Sequence, residues 1–459
     1  MAGPAAAVAT SSTRVASPLE PRRHYRRALL LSPDLAVGAA FLVLAVVVLS
    51  RQWLHLRDGY LVKSGQDQTM WEWFFAVTAH SVAHLENPLG TVLQNHPLGV
   101  NMMANTAMFG VSIPLAPVTL LFGPTVTFVL VLTLGLFGTA FAWYRLFSRE
   151  LVRSRTAAIL GGLFCGFAPA MISHASAHPN FVVLFLLPVI VLRLLGMLRR
   201  PVRPVRDGVV LGLLVAGQIA LGEEPLLLFA IGLSLFALVY YVHRPLDGIA
   251  ALRRVAAPVA VGAVLALVLT GPALWWQFFG PQSYRLIDHG PMGNDLKSFA
   301  QFPSESLGGV FAAGQNVAIN PTEENAYFGW PLLVLLAAAV AWLWRNRVAR
   351  AAAVTIAVLS VLSLGSTLRI GRTDTGIDLP WQWFERFPLI QSVLETRFAM
   401  ACVPLIAVLL TLGTERALRS WSTLVPWCVG LVVALGPLVP TPLPVVERST
   451  TPAFFADGT

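Results

Sequence analysis

Long apolar runs separated by short polar segments dominate this chain, and the runs have the length of membrane crossings. A helix needs about 20 apolar residues to cross the hydrocarbon core, with about 17 as the lower limit. Stretches of that kind lie near residues 33–50, 124–147, 156–172, 180–198, 208–221, 225–242, 255–276, 327–344, 348–364, 398–414 and 420–438. The pattern predicts an all-α, polytopic integral membrane protein with about eleven transmembrane helices. A further apolar stretch, residues 106–122, is broken by Pro114 and Pro117, and proline disrupts a helix interior. Its status has to come from the loops.

Cytoplasmic loops collect Lys and Arg. If residues 106–122 do not cross, the inner segments are the tail 1–32 and the loops 145–155, 193–206, 243–254, 345–350 and 415–419. Together these hold 22 of the 32 basic residues. If the stretch did cross, 17 of those 22 would move outside. The stretch is therefore expected to be a re-entrant or interfacial segment packed against protein. The same assignment puts ten basic and 17 acidic residues outside, a net charge of −7. The expected organisation is a cytoplasmic basic tail (1–32), a multi-span membrane domain (33–440) and an external C-terminal tail (441–459).

Composition sharpens this picture. The chain is 56% hydrophobic and 12% charged, with mean hydropathy +0.69, far below the roughly 25% charged residues of soluble domains. Its formal charge of +9 then records topology, and no nucleic-acid partner is expected; membrane lipids surround it. Arg14, Arg22, Arg23, Arg26 and Arg27 precede the first apolar run, and no small-residue cleavage pattern follows it, so the run reads as an uncleaved signal anchor. Cys165, Cys402 and Cys428 lie in or beside apolar runs without metal-type spacing and are expected to be packing thiols. No P-loop appears, which argues against direct use of ATP or a nucleotide sugar.

Three outer segments are long, 51–123, 277–326 and 365–397, and long ordered loops are usually functional. The first carries Lys63, Asp67, Gln68, Trp71 and Trp73, and residues 68–84 have helical character with aromatics suited to the membrane interface. Asp67 is either a helix N-cap or a chemical carboxylate. Trp71 and its aromatic neighbours either anchor an interfacial helix or stack on a sugar. His174 and His178 stand at i and i+4, a spacing that suits zinc but equally suits two hydrogen-bonded interfacial histidines. Glu223 and Glu224 mark either a polar turn or a functional pair at a helix end. The spans hold almost no ionisable residue near their middles, Gln218 and Gln277 being the nearest exceptions, which weighs against a carrier of lipid-linked precursors. A non-catalytic subunit of an envelope-assembly complex stays open.

The layout resembles the GT-C superfamily of membrane glycosyltransferases, which use sugars linked to polyprenyl phosphates. The likeness lies in the large first external loop with Asp67 soon after the first span, a helix following it, and about eleven spans. Asn87-Pro88, His96-Pro97-Leu-Gly99, the stretch Gly161 to Pro169, His174 with His178, residues 375–380 and Leu394-Glu-Thr-Arg397 are similar to local patterns of uncharacterised actinobacterial members. The resemblance implies a polyprenyl-phosphate sugar donor, a glycan or lipid acceptor in the cell envelope, and transfer with inversion on the extracytoplasmic face. It makes Asp67 the general base. The leaving phosphate needs cations, for which Lys63, Arg369, Arg372 and above all Arg397 are placed outside. Gln68, Trp71, His174, His178, Glu223 and Glu224 would contact substrate. Many members carry paired acids in the first loop, whereas Gln66 and Gln68 flank Asp67 here. A divalent cation would then take ligands from Glu223, Glu224, His174 or His178.

Overall fold

The computed structural model describes residues 33–104, 107–283, 292–312, 316–387 and 390–449. The predicted basic tail 1–32 and residues 450–459 of the predicted external tail lie outside the described residues. The protein is an all-α membrane fold. Among the described residues, Pro124–Leu151, Pro179–Arg199, Pro204–Leu221, Glu223–Tyr241, Pro245–Phe279, Glu395–Ala417 and Trp421–Leu438 are each long and apolar enough to cross a membrane. Arg155–Phe167 and Pro169–Ala175, bent by 40° at Ala168, together make an eighth candidate.

The remaining predicted stretches are helical but short: Pro33–Val48 and Arg347–Leu362 have 16 residues and Trp330–Leu343 has 14. At about 1.5 Å per residue they reach roughly 21–24 Å, less than the hydrocarbon thickness of about 30 Å. Local chemistry sets their starts. Pro331 occupies the first turn of its helix, where its missing N–H costs nothing, and the Asn346 side chain accepts from Val348 and Ala349 N–H to begin the next. Among the described residues, helices of full crossing length are therefore fewer than the eleven apolar stretches. Of residues 107–122, Phe109–Ser112 and Ala116–Phe122 form helices of four and seven residues, neither long enough to cross. They pack against Pro204–Leu221 and Gln66–His84.

Between apolar helices in lipid, close backbone approach supplies much of the attraction. Gly162 and Gly166, spaced as Gly-x-x-x-Gly on Arg155–Phe167, meet Pro124–Leu146 at Ala140: a Cβ on Gly162 would lie 2.7 Å from the Ala140 carbonyl oxygen, and one on Gly166 would lie 2.4 Å from Ala140 Cβ. Only glycine fits there. Cys165 and Cys402 are buried as expected, whereas Cys428 is exposed on the outer face of Trp421–Leu435.

Charged groups gather at opposite ends of the helices. At one end Arg145 pairs with Asp34, Arg199 with Glu150, and Arg193 and Arg200 hold the buried Asp207 at 2.7 and 2.8 Å. At the other lie the Gln66–His84 helix, three two-stranded sheets and the loop 292–326. Gly59–Leu61 pairs antiparallel with Val445–Glu447, Gly90–Thr91 with Val100–Asn101, and Thr367–Ile370 with Thr373–Asp378. Arg448 locks the first pairing: its guanidinium reaches Glu72 at 2.6 and 3.0 Å and lies 3.9 Å over the Tyr60 ring. The Gln66–His84 helix differs from the expected interfacial one. Trp71 (2% exposed) and Phe75 (0%) pack into the protein core, because the helices of residues 107–122 and the start of Pro124–Leu146 cover that face.

Candidate functional site

Four separate segments bring ionisable side chains to one place. Pro169 starts a short helix that ends at Ala175, and Pro179 prevents the α-helix from continuing. His178 nevertheless keeps an i→i+4 backbone bond to the His174 carbonyl, at 2.7 Å. The two rings therefore face each other with Nδ1 atoms 2.9 Å apart. His174 is fully buried and stacks on Phe181. Its Nε2 is 2.8 Å from Asn325 Oδ1.

Asp67 sits in the first turn of its helix but does not cap it. Ser64 Oγ accepts from Gln68 N–H instead, at 2.8 Å. The Asp67 carboxylate, 30% exposed, lies 3.4 Å from His178 Nε2. On the other side of the histidines, Glu323 is 3.8 Å from His174 Nε2 and 3.9 Å from His178 Nδ1, with 1% of its side chain exposed. Arg397 donates to Glu323 at 2.6 Å through Nη2 and to Glu224 at 2.6 Å through Nη1, and its guanidinium lies 4.3 Å over the Phe181 ring. Burial alone would raise the Glu323 carboxyl, but the Arg397 guanidinium, with His174 and His178 beside it, outweighs that and holds the group at about 2. Asn325 Nδ2 ties the segment together, donating to Glu323 at 2.6 Å and to Thr396 Oγ1 at 3.3 Å.

The structure thus gathers Asp67, His174, His178, Glu224 and Arg397, while other expected residues have separate partners. Glu223 accepts from Gln277 Nε2 at 2.9 Å. Gln68 is fully buried; its Oε1 accepts from Leu61 N–H and its Nε2 donates to Glu72, both at 2.9 Å. Gln68 therefore fastens the neighbouring strand, and buried Trp71 packs in the core. Lys63 pairs with Glu305 at 3.3 Å and with Glu324 at 3.2 Å. Arg372 lies at an exposed strand turn, where its N–H bonds to Asp295 at 2.6 Å and its guanidinium to the Asn316 carbonyl. Arg369 belongs to the same pair of strands. Lys63 and Arg372 thus staple loops together. Even Arg397, expected as an open phosphate ligand, is clasped by two carboxylates, because an arginine buried there needs compensation.

Glu323 and Asn325 escaped the sequence reading. The signal was Pro-Thr-Glu323-Glu324-Asn325 in the second long outer segment. Adjacent acids beside an apolar span resemble any solvated loop until their partners are known.

Next to this cluster lies an open cavity of about 690 Å³, lined by Gln66, Thr69 and Met70 of the Asp67 helix, by Trp73 and Phe74, and by Gln94, Asn95 and Gln282 from the loops. No charged side chain is among its lining residues. Amides offer both donors and acceptors, and aromatic faces offer apolar contact, so the lining suits a neutral, hydroxyl-rich ligand.

No curated protein matches the sequence. Among solved structures, the fold is similar to the archaeal oligosaccharyltransferase AglB from Archaeoglobus fulgidus in complex with an inhibitory peptide and a dolichol-phosphate. The identity is 11% and the TM-score 0.49, over 88% of this chain and 55% of that one. The chain therefore spans about half the length of that protein. A model of a family of unknown function, DUF6541, matches residues 101–381, more than half of the sequence, and the chain belongs to that family.

Proposed function

We propose that the chain is a membrane glycosyltransferase that moves a sugar from a polyprenyl-phosphate donor to a cell-envelope acceptor on the extracytoplasmic face, with inversion. The observation that carries this reading is a partly exposed carboxylate, Asp67, fixed by His178 at 3.4 Å, in the same helical turns as the neutral lining residues Gln66, Thr69 and Met70. In this reading an acceptor hydroxyl gives its proton to Asp67 as its oxygen bonds to the anomeric carbon. The bond from that carbon to the phosphate oxygen breaks, and the polyprenyl phosphate leaves as an anion. His178 orients the base, and a departing phosphate would meet Arg397 as a cation whose charge Glu224 and Glu323 already share. The basic end of the bundle is then cytoplasmic, with the N-terminus inside and the C-terminus outside.

The test is transfer of radiolabelled sugar from a panel of polyprenyl-phosphate donors by membranes containing wild type or Asp67→Asn. The variant is expected to lose about 10²–10⁴ in rate, the range of general base catalysis. Turnover undiminished in a folded Asp67→Asn protein removes the base from this site. A second reading, a carrier of lipid-linked precursors, draws on the 40° break between Arg155–Phe167 and Pro169–Ala175, since broken helices serve such carriers. Proteoliposomes that move the lipid across the bilayer without making product would favour it.

A further inference from the structure

At the basic end of the bundle lies a second cavity, of about 580 Å³, between the end of Glu223–Tyr241 and the start of Arg347–Leu362. Near their middles these two helices touch: a Cβ on Gly232 would lie 3.6 Å from Leu359 Cδ1. Toward the basic end they part, and Leu238, Val242 and Val354 are left exposed on the cavity walls. Arg244, Arg347 and Arg350 line the same space, with Tyr240 and Trp344 beside them. No Asp or Glu is among the lining residues. Arg244 approaches one carboxylate, Asp247, at 3.7 Å between two exposed side chains. Among the described residues, Arg347 and Arg350 have none.

Helix length turns these unpaired charges into a membrane problem. Arg347–Leu362 has 16 residues and reaches about 24 Å, short of a hydrocarbon core of about 30 Å. Its far end runs within five residues into the Thr367–Ile370 strand at the opposite end of the bundle, so the shortfall falls on the arginine end. Arg347, Arg350 and Val354 follow one another on one helical face, which carries the second guanidinium a turn deeper than the first. An uncompensated cation at that depth is costly. A phosphate group brought to it accepts bidentate bonds from guanidinium, and the Trp and Tyr beside it are side chains typical of the headgroup level. A free phosphate would leave the apolar walls unused, and an acyl chain alone would leave the arginines unanswered. The ligand that satisfies both is an amphiphile with an anionic head.

We propose that this cavity binds an anionic phospholipid from the adjoining leaflet, its phosphate held by Arg347 and Arg350 with Arg244 opposite, and its acyl chains lying along Leu238, Val242 and Val354. A volume of about 580 Å³ falls within the roughly 300–1,000 Å³ of small-molecule sites and takes the head and the start of the chains, the remainder lying in the bilayer. Basic pockets between helices at a membrane surface recognise such heads through charge and shape together. The bound lipid ties two helices together at the end of the bundle opposite Asp67 and His178. It is independent of the proposed reaction and stands even if the chain transfers no sugar.

Full-length wild type and Trp344→Phe are reconstituted in phosphatidylcholine vesicles that hold a minor fraction of phosphatidylglycerol. The difference in their tryptophan fluorescence isolates Trp344, and bromine on the acyl chains of one lipid or the other quenches it on contact. Brominated phosphatidylglycerol is expected to quench Trp344 at a far lower membrane fraction than brominated phosphatidylcholine, with a preference of about fivefold for each arginine in contact. Arg347→Gln/Arg350→Gln should lose about 5–25-fold of that preference. Arg253→Gln/Arg419→Gln, which removes the same charge from the same end of the bundle outside the cavity, should keep it. Inorganic phosphate at matched ionic strength should not displace the lipid. Gel filtration and melting temperature establish that the variants fold, and neither Arg347 nor Arg350 gives up a protein partner on substitution. Equal quenching by the two lipids overturns the proposal, as does a preference that survives Arg347→Gln/Arg350→Gln. A preference lost equally in Arg253→Gln/Arg419→Gln overturns it in favour of general surface charge, and displacement by phosphate overturns it in favour of a free anion.

Discussion

Arg397→Met should be among the most damaging substitutions in the chain, and the structure gives its size. The guanidinium makes bonds of 2.6 Å to both Glu224 and Glu323, with a further contact from Nε to Glu323 at 3.2 Å. Methionine restores much of the volume but none of the charge, leaving Glu323 ionised with 1% of its side chain exposed. Removing one partner of a buried pair costs about 3–5 kcal/mol. The Glu323 carboxyl gives a second route to the number. It is held at about 2 against an ordinary 4.5, and each factor of ten is worth about 1.36 kcal/mol, so its partners stabilise the folded carboxylate by roughly 3 kcal/mol. The burial penalty and the neighbouring His174 and His178 enter that net figure along with Arg397. The sign follows from linkage: a carboxyl depressed in the folded state contributes stability that is fully present above its unfolded value and is lost as pH falls through about 2. In Arg397→Met the carboxyl takes up a proton at higher pH. The deficit relative to wild type is therefore largest near pH 7 and shrinks as pH falls below the ordinary carboxylate range. Thermal unfolding of the detergent-solubilised proteins at pH 7 and pH 4.5, together with Arg397→Met/Glu323→Gln, reads this out. The double variant should recover most of the loss at pH 7. An Arg397→Met protein as stable as wild type at pH 7, or a double variant no better than the single one, would refute the compensation argument.

Glycine contacts make a paired test: Gly166→Leu should destabilise by at least 1–3 kcal/mol through overpacking against Ala140, while Gly271→Ala, with nothing within 4 Å, should be neutral or slightly stabilising, both read as melting temperature. Arg448→Ala leaves Glu72 without its guanidinium and should speed hydrogen exchange at the amides of residues 59–61 well before global unfolding. Of the three cysteines, Cys428, which faces out of the protein within a span, should be the first that a membrane-permeant maleimide labels, slowly because a lipid-facing thiol forms little thiolate, while Cys165 and Cys402 stay unmodified until the protein unfolds.

Apolar run length alone revealed the all-α membrane fold, because lipid admits few ways to satisfy the backbone. Helix ends were less legible. Trp330–Leu343 starts three residues into its apolar stretch and Arg347–Leu362 ends two residues before its own does, so among the described residues the helices of crossing length are fewer than the apolar runs. At the candidate site, individual residue types pointed to Asp67, His174, His178, Glu224 and Arg397 as chemically distinctive. What they touch was not readable, because Asp67 and His178 are 111 positions apart in sequence and Glu323 lies far from both. Gln68 and Trp71 illustrate the converse limit. Thr69 and Met70 between them line the cavity, yet the helical period turns these two inward, where Leu61 N–H and Glu72 take up the Gln68 amide.

The pairing of Gly59–Leu61 with Val445–Glu447 also fixes a parity. Two hydrogen-bonded strands occupy the same face of a bilayer, so the chain between them crosses it an even number of times. Among the described residues, seven helices and one bent pair of crossing length lie in that interval, and eight, an even number, closes the circuit. A crossing by residues 107–122 would make nine and set the paired strands on opposite faces. Arginine counting and strand pairing both start from the same set of crossings, and both are consistent with a segment 107–122 that does not cross. The same circuit makes the Gly59–Leu61 pairing a late event of biogenesis, since that strand finds its partner only after every intervening helix has been inserted.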